Sequence, residues 1–167
     1  FHGKHIGTFG IAGAFSLQYQ KVLTTGDGGI VVTNDPLIYE RAVRFHNNGN
    51  FPGGDPKEAV IGLNLRMTEI SGAIAGVQLK RLDQLTAVTK HHKQRLVQLL
   101  RNVTKKYPIT LQRIHDPAGD IGISLIMFVP EGKGQIFSEA LHAEGITNWW
   151  LHNSAGHSYH TSYQILH

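Results

Sequence analysis

Ser16-Leu17-Gln18-Tyr19-Gln20-Lys21-Val22-Leu23-Thr24-Thr25-Gly26-Asp27-Gly28-Gly29 is the stretch on which the reading of this chain turns. It sets one lysine between two strand-like apolar runs, residues 14–17 and 30–33, with a glycine-rich turn on its far side. A lysine held on a turn between buried strands loses rotamer freedom and part of its hydration, and both losses favour a reactive amine over a solvated ammonium. The ordinary alternative is a loop lysine that faces water.

Outward from this stretch, residues 12–17 read as a buried strand leading to Lys21, and residues 30–33 as the returning strand. The turn at residues 26–29 has the glycines that a tight reversal with positive φ requires, and Asp27 is placed to accept hydrogen bonds from it. It lacks the lysine and the spacing of a nucleotide-phosphate loop. Asp35 can then cap a helix whose first position, Pro36, has no N–H to satisfy. This helix is expected to run to about Phe45, with Ile38, Ala42 and Phe45 on its packed face and Glu40, Arg41 and Arg44 more exposed. Residues 46–50 end it, and residues 51–57 form a Pro/Gly-rich loop.

From Thr68 the spacing predicts a long helix, with Ile70, Ile74, Val77, Leu82, Leu85, Val88, Leu96, Leu99 and Val103 at near-helical intervals. Lys80, Arg81, Lys90 and Lys93 fall between them, and Gly72, Ala73, Ala75 and Gly76 allow close approach of another helix. Tyr107-Pro108 ends it, with a soft domain boundary between Leu85 and Pro108. Residues 116–120 read as a turn and residues 121–129 as an apolar strand, central in a small sheet. A helix over residues 134–144 follows, with Ile136, Phe137, Ala140 and Leu141 inward and Gly145 as its stop.

Composition limits the function classes. The 167 residues give room for one domain or parts of two, and 41% hydrophobic with 17% charged residues is a globular balance. The net charge of +4 comes from scattered lysines and arginines, which suits solubility or anionic substrates rather than nucleic acid. Without cysteine there are no disulfides or thiolate metal sites. The run at 121–129 is too short and interrupted to span a bilayer, and no leader is read at Phe1, so cytoplasm is the default expectation and no membrane partner is expected.

Phe15-Ser16, Lys21 five residues after that serine, and Gly26-Asp27-Gly28-Gly29-Ile30-Val31-Val32-Thr33-Asn34-Asp35 together resemble the Schiff-base segment of the DegT/DnrJ/StrS-type sugar aminotransferases, members of fold type I of the pyridoxal 5'-phosphate (PLP) enzymes. A second block is similar to the family's G-x-N-x-R-M segment and the helix after it: Gly62-Leu63-Asn64-Leu65-Arg66-Met67-Thr68-Glu69-Ile70, then Gln78-Leu79-Lys80-Arg81-Leu82-Asp83. The resemblance implies an α/β fold. Residues 1–85 would be part of the PLP-binding large domain, a mixed sheet with helices; residues 86–107 a connecting long helix; and residues 108–167 a partial small α+β domain.

The same resemblance implies a PLP-dependent aminotransferase that moves an amino group from glutamate or glutamine to a keto-sugar, a nucleotide-linked keto-sugar or a keto-cyclitol. Lys21 would anchor the cofactor and act as acid/base, Ser16 would bond its phosphate, and Asn64 would reach that phosphate from the neighbouring subunit of a homodimer with a shared site. Arg66 would orient its loop or bind a substrate carboxylate, with a structural salt bridge as the alternative. Trp149 and Trp150 would stack on a sugar or base, against a core-packing alternative.

The glycine-punctuated opening, residues 1–10, resembles a mid-chain segment of the family, so an internal fragment is expected, incomplete at both ends, poorly soluble and inactive alone. Asn47-Asn48-Gly49 departs from the family's Asn-His-Gly, and no role passes to His46. Two other functions remain open: a related sugar dehydratase, which has histidine where Lys21 stands, and a non-catalytic or truncated homologue. His152, His157, His160 and His167 offer no companion carboxylate or thiolate, so no metal is expected there, and His91-His92 reads as solvated.

Overall fold

The structure is a computed structural model and describes residues 1–151. The chain divides into two compact units, the first formed by Phe1–Lys93 with Ile114–Ile123, the second by Gln94–Arg113 with the residues from Ser124 onward.

In the first unit, β1 (Ala12–Ser16) and β2 (Gly29–Thr33) form an antiparallel hairpin with Ala12 opposite Thr33 and Ser16 opposite Gly29. The expected strands are present, but their burial is not. Phe15, Ile30 and Val31 are exposed, and Leu17, just past β1, is the one hydrophobic side chain buried among the described residues. Two strands alone leave both sheet faces open unless another layer covers them.

Asp35 starts α1 (Pro36–His46) as expected, its Oδ1 accepting the N–H groups of Leu37 and Ile38 at 2.8 and 3.1 Å. The expected face of this helix needs correction. Phe45 is exposed, whereas Arg44 is only 4% exposed. Arg44 donates from Nε to Glu40 at 2.8 Å and from Nη2 to Glu58 at 2.7 Å, and its guanidinium lies 5.8 Å from the centre of the Phe51 ring. Helical spacing brings Glu40 beside it; the loop through a 3-10 turn at Pro56–Glu58 brings the second carboxylate. The charge is therefore paired rather than solvated, with its two carboxylate partners on the exposed side.

The segment after this loop is tied to the end of α1 by backbone bonds from Leu63 to Phe45 O at 2.7 Å, from Leu65 to His46 O at 2.9 Å and from Asn48 to Leu63 O at 3.0 Å. Gly62 makes the approach possible. A β-carbon there would lie 2.4 Å from Gly49 N and 2.7 Å from Phe45 O, and Gly49 itself has φ +85°.

The long helix appears as α2 (Glu69–Lys106), and Thr68 Oγ1 caps it by accepting the Ser71 N–H at 3.1 Å. Its inward positions differ from the expected stripe. Leu82 and Leu85 are half-buried, while Ile70, Val77, Leu96 and Leu99 are exposed. Lys90 and Lys93, which fall between the apolar positions, hold the 114–123 loop: Lys90 Nζ donates to Ala118 O at 2.8 Å, and Lys93 Nζ pairs with Asp120 at 2.7 Å. Thr89 Oγ1 donates to Ile121 O.

In the second unit, β3 (Thr110–Leu111) pairs antiparallel with β4 (Met127–Phe128). The strand expected over residues 121–129 is thus reduced to two residues. Its beginning is held on α2, and Gly122 has φ +74°, incompatible with continuous extension. α3 (Gly134–Ala143) stops at Gly145, φ +78°, as expected. Phe137 and Leu141 are its half-buried apolar side chains, whereas Ile136 and Ala140 are exposed.

Two outcomes follow for the full-length protein. Gly62→Ala must displace the 60–65 segment from α1 and is expected to lower stability by about 1–3 kcal/mol, read as a lower urea midpoint at unchanged slope. Burial raises the Asp120 carboxyl, but the Lys93 hydrogen bond and the Gly122 N–H outweigh it, so this group sits below the usual carboxylate range. A depressed folded value means the contribution is complete above the unfolded value and is lost as pH falls below about 4. The protection of the Gly122 amide, its exchange rate relative to the intrinsic rate at each pH, is expected to fall on acidification through that window, and Asp120→Asn is expected to flatten the dependence.

Candidate active site

Lys21 lies in the connection between β1 and β2, and the frame around it is built from threonines and backbone. Leu17 donates its N–H to Gly28 O at 2.9 Å, and its carbonyl accepts the Thr25 N–H at 2.9 Å and the Thr24 hydroxyl at 3.0 Å. Thr25 is buried and its hydroxyl donates to Asp27 O, while Asp27 Oδ1 accepts the Gly28 N–H at 2.8 Å, the role expected for this aspartate. Gly26 and Gly28 have φ +86° and +132°, so the glycine turn has the geometry that its composition predicts.

Within that frame Lys21 is anchored through its backbone N–H, which donates to Gln18 O at 3.0 Å. Its side chain is exposed, and among the described residues Nζ makes no hydrogen bond or ion pair. Burial between strands, the physical ground on which the lysine was singled out, is not what the residues 1–151 provide; a braced turn holds it instead. Ser16 ends β1 on the same connection, its exposed Oγ accepting the Gln18 N–H at 3.3 Å with the hydroxyl proton left for another acceptor.

Asn64 and Arg66 form the second group. Asn64 forms an isolated antiparallel bridge with Asn47. Arg66 donates from Nε to Asn64 Oδ1 at 3.0 Å and from Nη1 to Asn47 Oδ1 at 3.2 Å. It forms no salt bridge among the described residues, and the contacts it makes are to the two side-chain amides. The strip carrying this group reaches the glycine turn through Met67, whose Cε is 3.9 Å from the place a Gly28 β-carbon would occupy. No hydrogen bond among the described residues joins Ser16 or Lys21 to Asn64 or Arg66.

Asn47 was missed as a site residue. Its signal in the sequence is an amide at the C-terminal end of a capped helix, but the partnership with Arg66, 19 positions on, exists only in the fold. His46 turns back to its own helix, Nδ1 lying 2.8 Å from Val43 O. In the second unit Trp149 is 64% exposed, and Trp150 lies over the start of α3, its Nε1 2.4 Å from where a Gly134 β-carbon would be. His91 and His92 are exposed. His152, His157, His160 and His167 lie outside the described residues, and no cluster able to hold a metal occurs among the described ones.

Comparison with known proteins places this geometry. The chain is 34% identical over 121 residues to GDP-perosamine synthase of Escherichia coli O157:H7, covering 72% of this chain and 31% of that enzyme. It is 34% identical over 113 residues to L-glutamine:2-deoxy-scyllo-inosose aminotransferase of Streptomyces kanamyceticus, covering 62% of this chain and 26% of the relative. The chain therefore spans about a third or less of the length of these relatives.

Among solved structures, a GDP-4-keto-6-deoxymannose-3-dehydratase with a trapped PLP-glutamate geminal diamine matches at a TM-score of 0.73 and 26% identity, over 88% of this chain and 42% of that one. PseC of Helicobacter pylori, an aminotransferase involved in the biosynthesis of pseudoaminic acid, matches at 0.72 and 25%, over 87% and 40%. The α/β reading as part of a fold type I PLP-transferase is borne out by these likenesses. The sequence pattern of the DegT/DnrJ/EryC1/StrS aminotransferases matches residues 1–164, and this chain belongs to that family.

Proposed function

We propose that this chain carries the lysine-bearing part of a PLP-dependent aminotransferase that moves an amino group from glutamate or glutamine to a keto-sugar, a nucleotide-linked keto-sugar or a keto-cyclitol. The observation that carries this reading is the placement of Lys21 on the braced connection after β1, with Nζ open and the Ser16 hydroxyl on the same connection. The donor set fits a phosphate-bearing aldehyde: a primary amine for the carbonyl carbon, a hydroxyl for the phosphate, and an amide at Asn64 as a further neutral donor.

PLP, when bound, supplies an electron sink for charge developing on the carbon that carries the amino group. The chain's residues do the rest. Lys21 would hold the cofactor covalently through Nζ, and the same Nζ, once displaced, would take up and return the substrate proton. The Ser16 Oγ–H and the Asn64 amide would fix the phosphate, and Trp149 would offer a flat face to the sugar. Lysine rather than histidine at position 21 favours amino transfer over the dehydratase reading.

The reading extends to a homodimer with a shared site, in which Asn64 serves the neighbouring subunit. Exposed Ile70, Ile74 and Val77, which helical spacing places on one face near the start of α2, support it, since an apolar face of this kind is an interaction surface. Cytoplasm remains the proposed location; no helix among the described residues is long and apolar enough to cross a membrane. The domain reading, with residues 1–85, 86–107 and 108–167 as large domain part, connector and small domain part, is likewise proposed.

In the full-length protein, Lys21→Ala is expected to abolish the borohydride-reducible PLP adduct on the peptide spanning residue 21 and to lower amino transfer by about 10²–10⁴-fold or more. Mass spectrometry of the reduced, digested protein reads the first outcome. A PLP adduct elsewhere in the chain in both proteins would overturn the assignment of Lys21.

A further inference from the structure

We propose that Asn47 and Arg66 are positioning residues that lock the Asn64 side-chain amide with its Nδ2 outward, as a hydrogen-bond donor to the cofactor phosphate; this rests on the reading of Asn64 as a phosphate contact. A guanidinium has donors and no acceptor, so the Asn64 atom that meets Arg66 Nε at 3.0 Å is necessarily the oxygen. The same holds for the Asn47 oxygen that meets Nη1 at 3.2 Å. Asn47 is fixed in turn, because its Nδ2 donates to the carbonyl of Asn50 at 3.0 Å, an atom that can only accept. The relay runs from the Asn50 carbonyl through Asn47 and Arg66 to Asn64, and each link forbids the flipped amide.

The backbone holds both ends of the relay. Asn47 and Asn64 face each other in an antiparallel bridge, flanked by the Leu63-to-Phe45 and Leu65-to-His46 hydrogen bonds. An asparagine on an exposed strip would otherwise present oxygen or nitrogen toward an anion, and the oxygen repels it. With Oδ1 occupied by Arg66, the donor face is the one left over, and among the described residues Asn64 Nδ2 has no partner. Specific recognition of a phosphate by a neutral amide needs that asymmetry. Lysine cannot substitute for the arginine, since one ammonium does not present two coplanar donors to two amides.

The test is the dissociation constant of the apo full-length protein for PLP and for pyridoxal, which lacks the phosphate. Loss of one phosphate hydrogen bond is expected to weaken PLP relative to pyridoxal by about 5- to 10-fold in Asn64→Ala. Asn47→Ala and Arg66→Lys are expected to lower the same ratio by about 3-fold or more, and Asn47→Ala added to Asn64→Ala is expected to do nothing further. A purely structural role would weaken both ligands equally, and that result overturns the proposal. So does a drop in Asn64→Ala with no drop in the other two, which leaves the phosphate reading of Asn64 intact. An unchanged ratio in Asn64→Ala overturns that underlying reading and the relay with it. Because Arg66→Lys keeps the charge and nearly the length of the side chain, it reports on the relay even where Asn47→Ala unfolds.

Discussion

The close seating of Gly62 against the end of α1 is the constraint on which the first unit depends. The backbone of residues 60–65 lies where a β-carbon would collide with the Phe45 carbonyl and the Gly49 amide, so alanine is already too large. From that contact the carbonyls of Phe45 and His46, left without helical donors at a C-terminus, receive the N–H groups of Leu63 and Leu65. An orphaned helix end thereby becomes the edge that organises the next segment. Asn64 and Arg66 are carried on this edge, and Thr68 caps α2 three residues after its last bond.

The buried Arg44 belongs to the same construction. Its two carboxylate partners come from different places, Glu40 on its own helix and Glu58 at the end of the 51–58 loop. Removing one partner would leave a guanidinium in a site that only 4% exposure connects to water, so the loop and the helix are held as one piece. The loop's return at residue 60 follows from this, with the Val60 N–H donating to Gly49 O at 3.0 Å. Sequence, pairing and site are linked here in one direction: an arginine one turn after a glutamate fixes a loop, and the loop aims a strip of amides.

Much of this was legible in the sequence, and the parts that were not share a physical cause. Local rules placed Asp35 as a cap, Gly26 and Gly28 in the turn, Gly145 after α3 and the start of the long helix at Thr68, because each depends on residues within about four positions. The lysine and the serine were legible through resemblance, as was the G-x-N-x-R-M strip. Arg44 was read as more exposed, and the partnerships of Lys90 and Lys93 were not read at all, because Glu58, Ala118 and Asp120 lie between 14 and 28 positions away. A periodicity argument ranks residues by polarity and has no way to see that a charge is paired. The strand over residues 121–129 failed for the same reason: its apolar composition was read, while the threonine that captures the Ile121 carbonyl sits 32 positions earlier.

The exposed apolar residues bear on how the lysine can work. Leu17 is the buried anchor of the connection that holds Lys21, and burying one leucine contributes about 1.5–3 kcal/mol, enough to fix the turn's backbone but not to cover the lysine. Phe15, Ile30 and Val31 on the hairpin and Ile70, Ile74 and Val77 on α2 remain open to water in a single chain. Covering those faces would withdraw solvent from the sheet that ends at Ser16 and from the helix that follows the amide strip. The framework that positions the amine and the framework that desolvates it are therefore separable: the first is built from hydrogen bonds within residues 16–29, and the second requires apolar surface that this chain presents and does not itself bury. The role proposed for Lys21 needs both a braced backbone and the withdrawal of solvent.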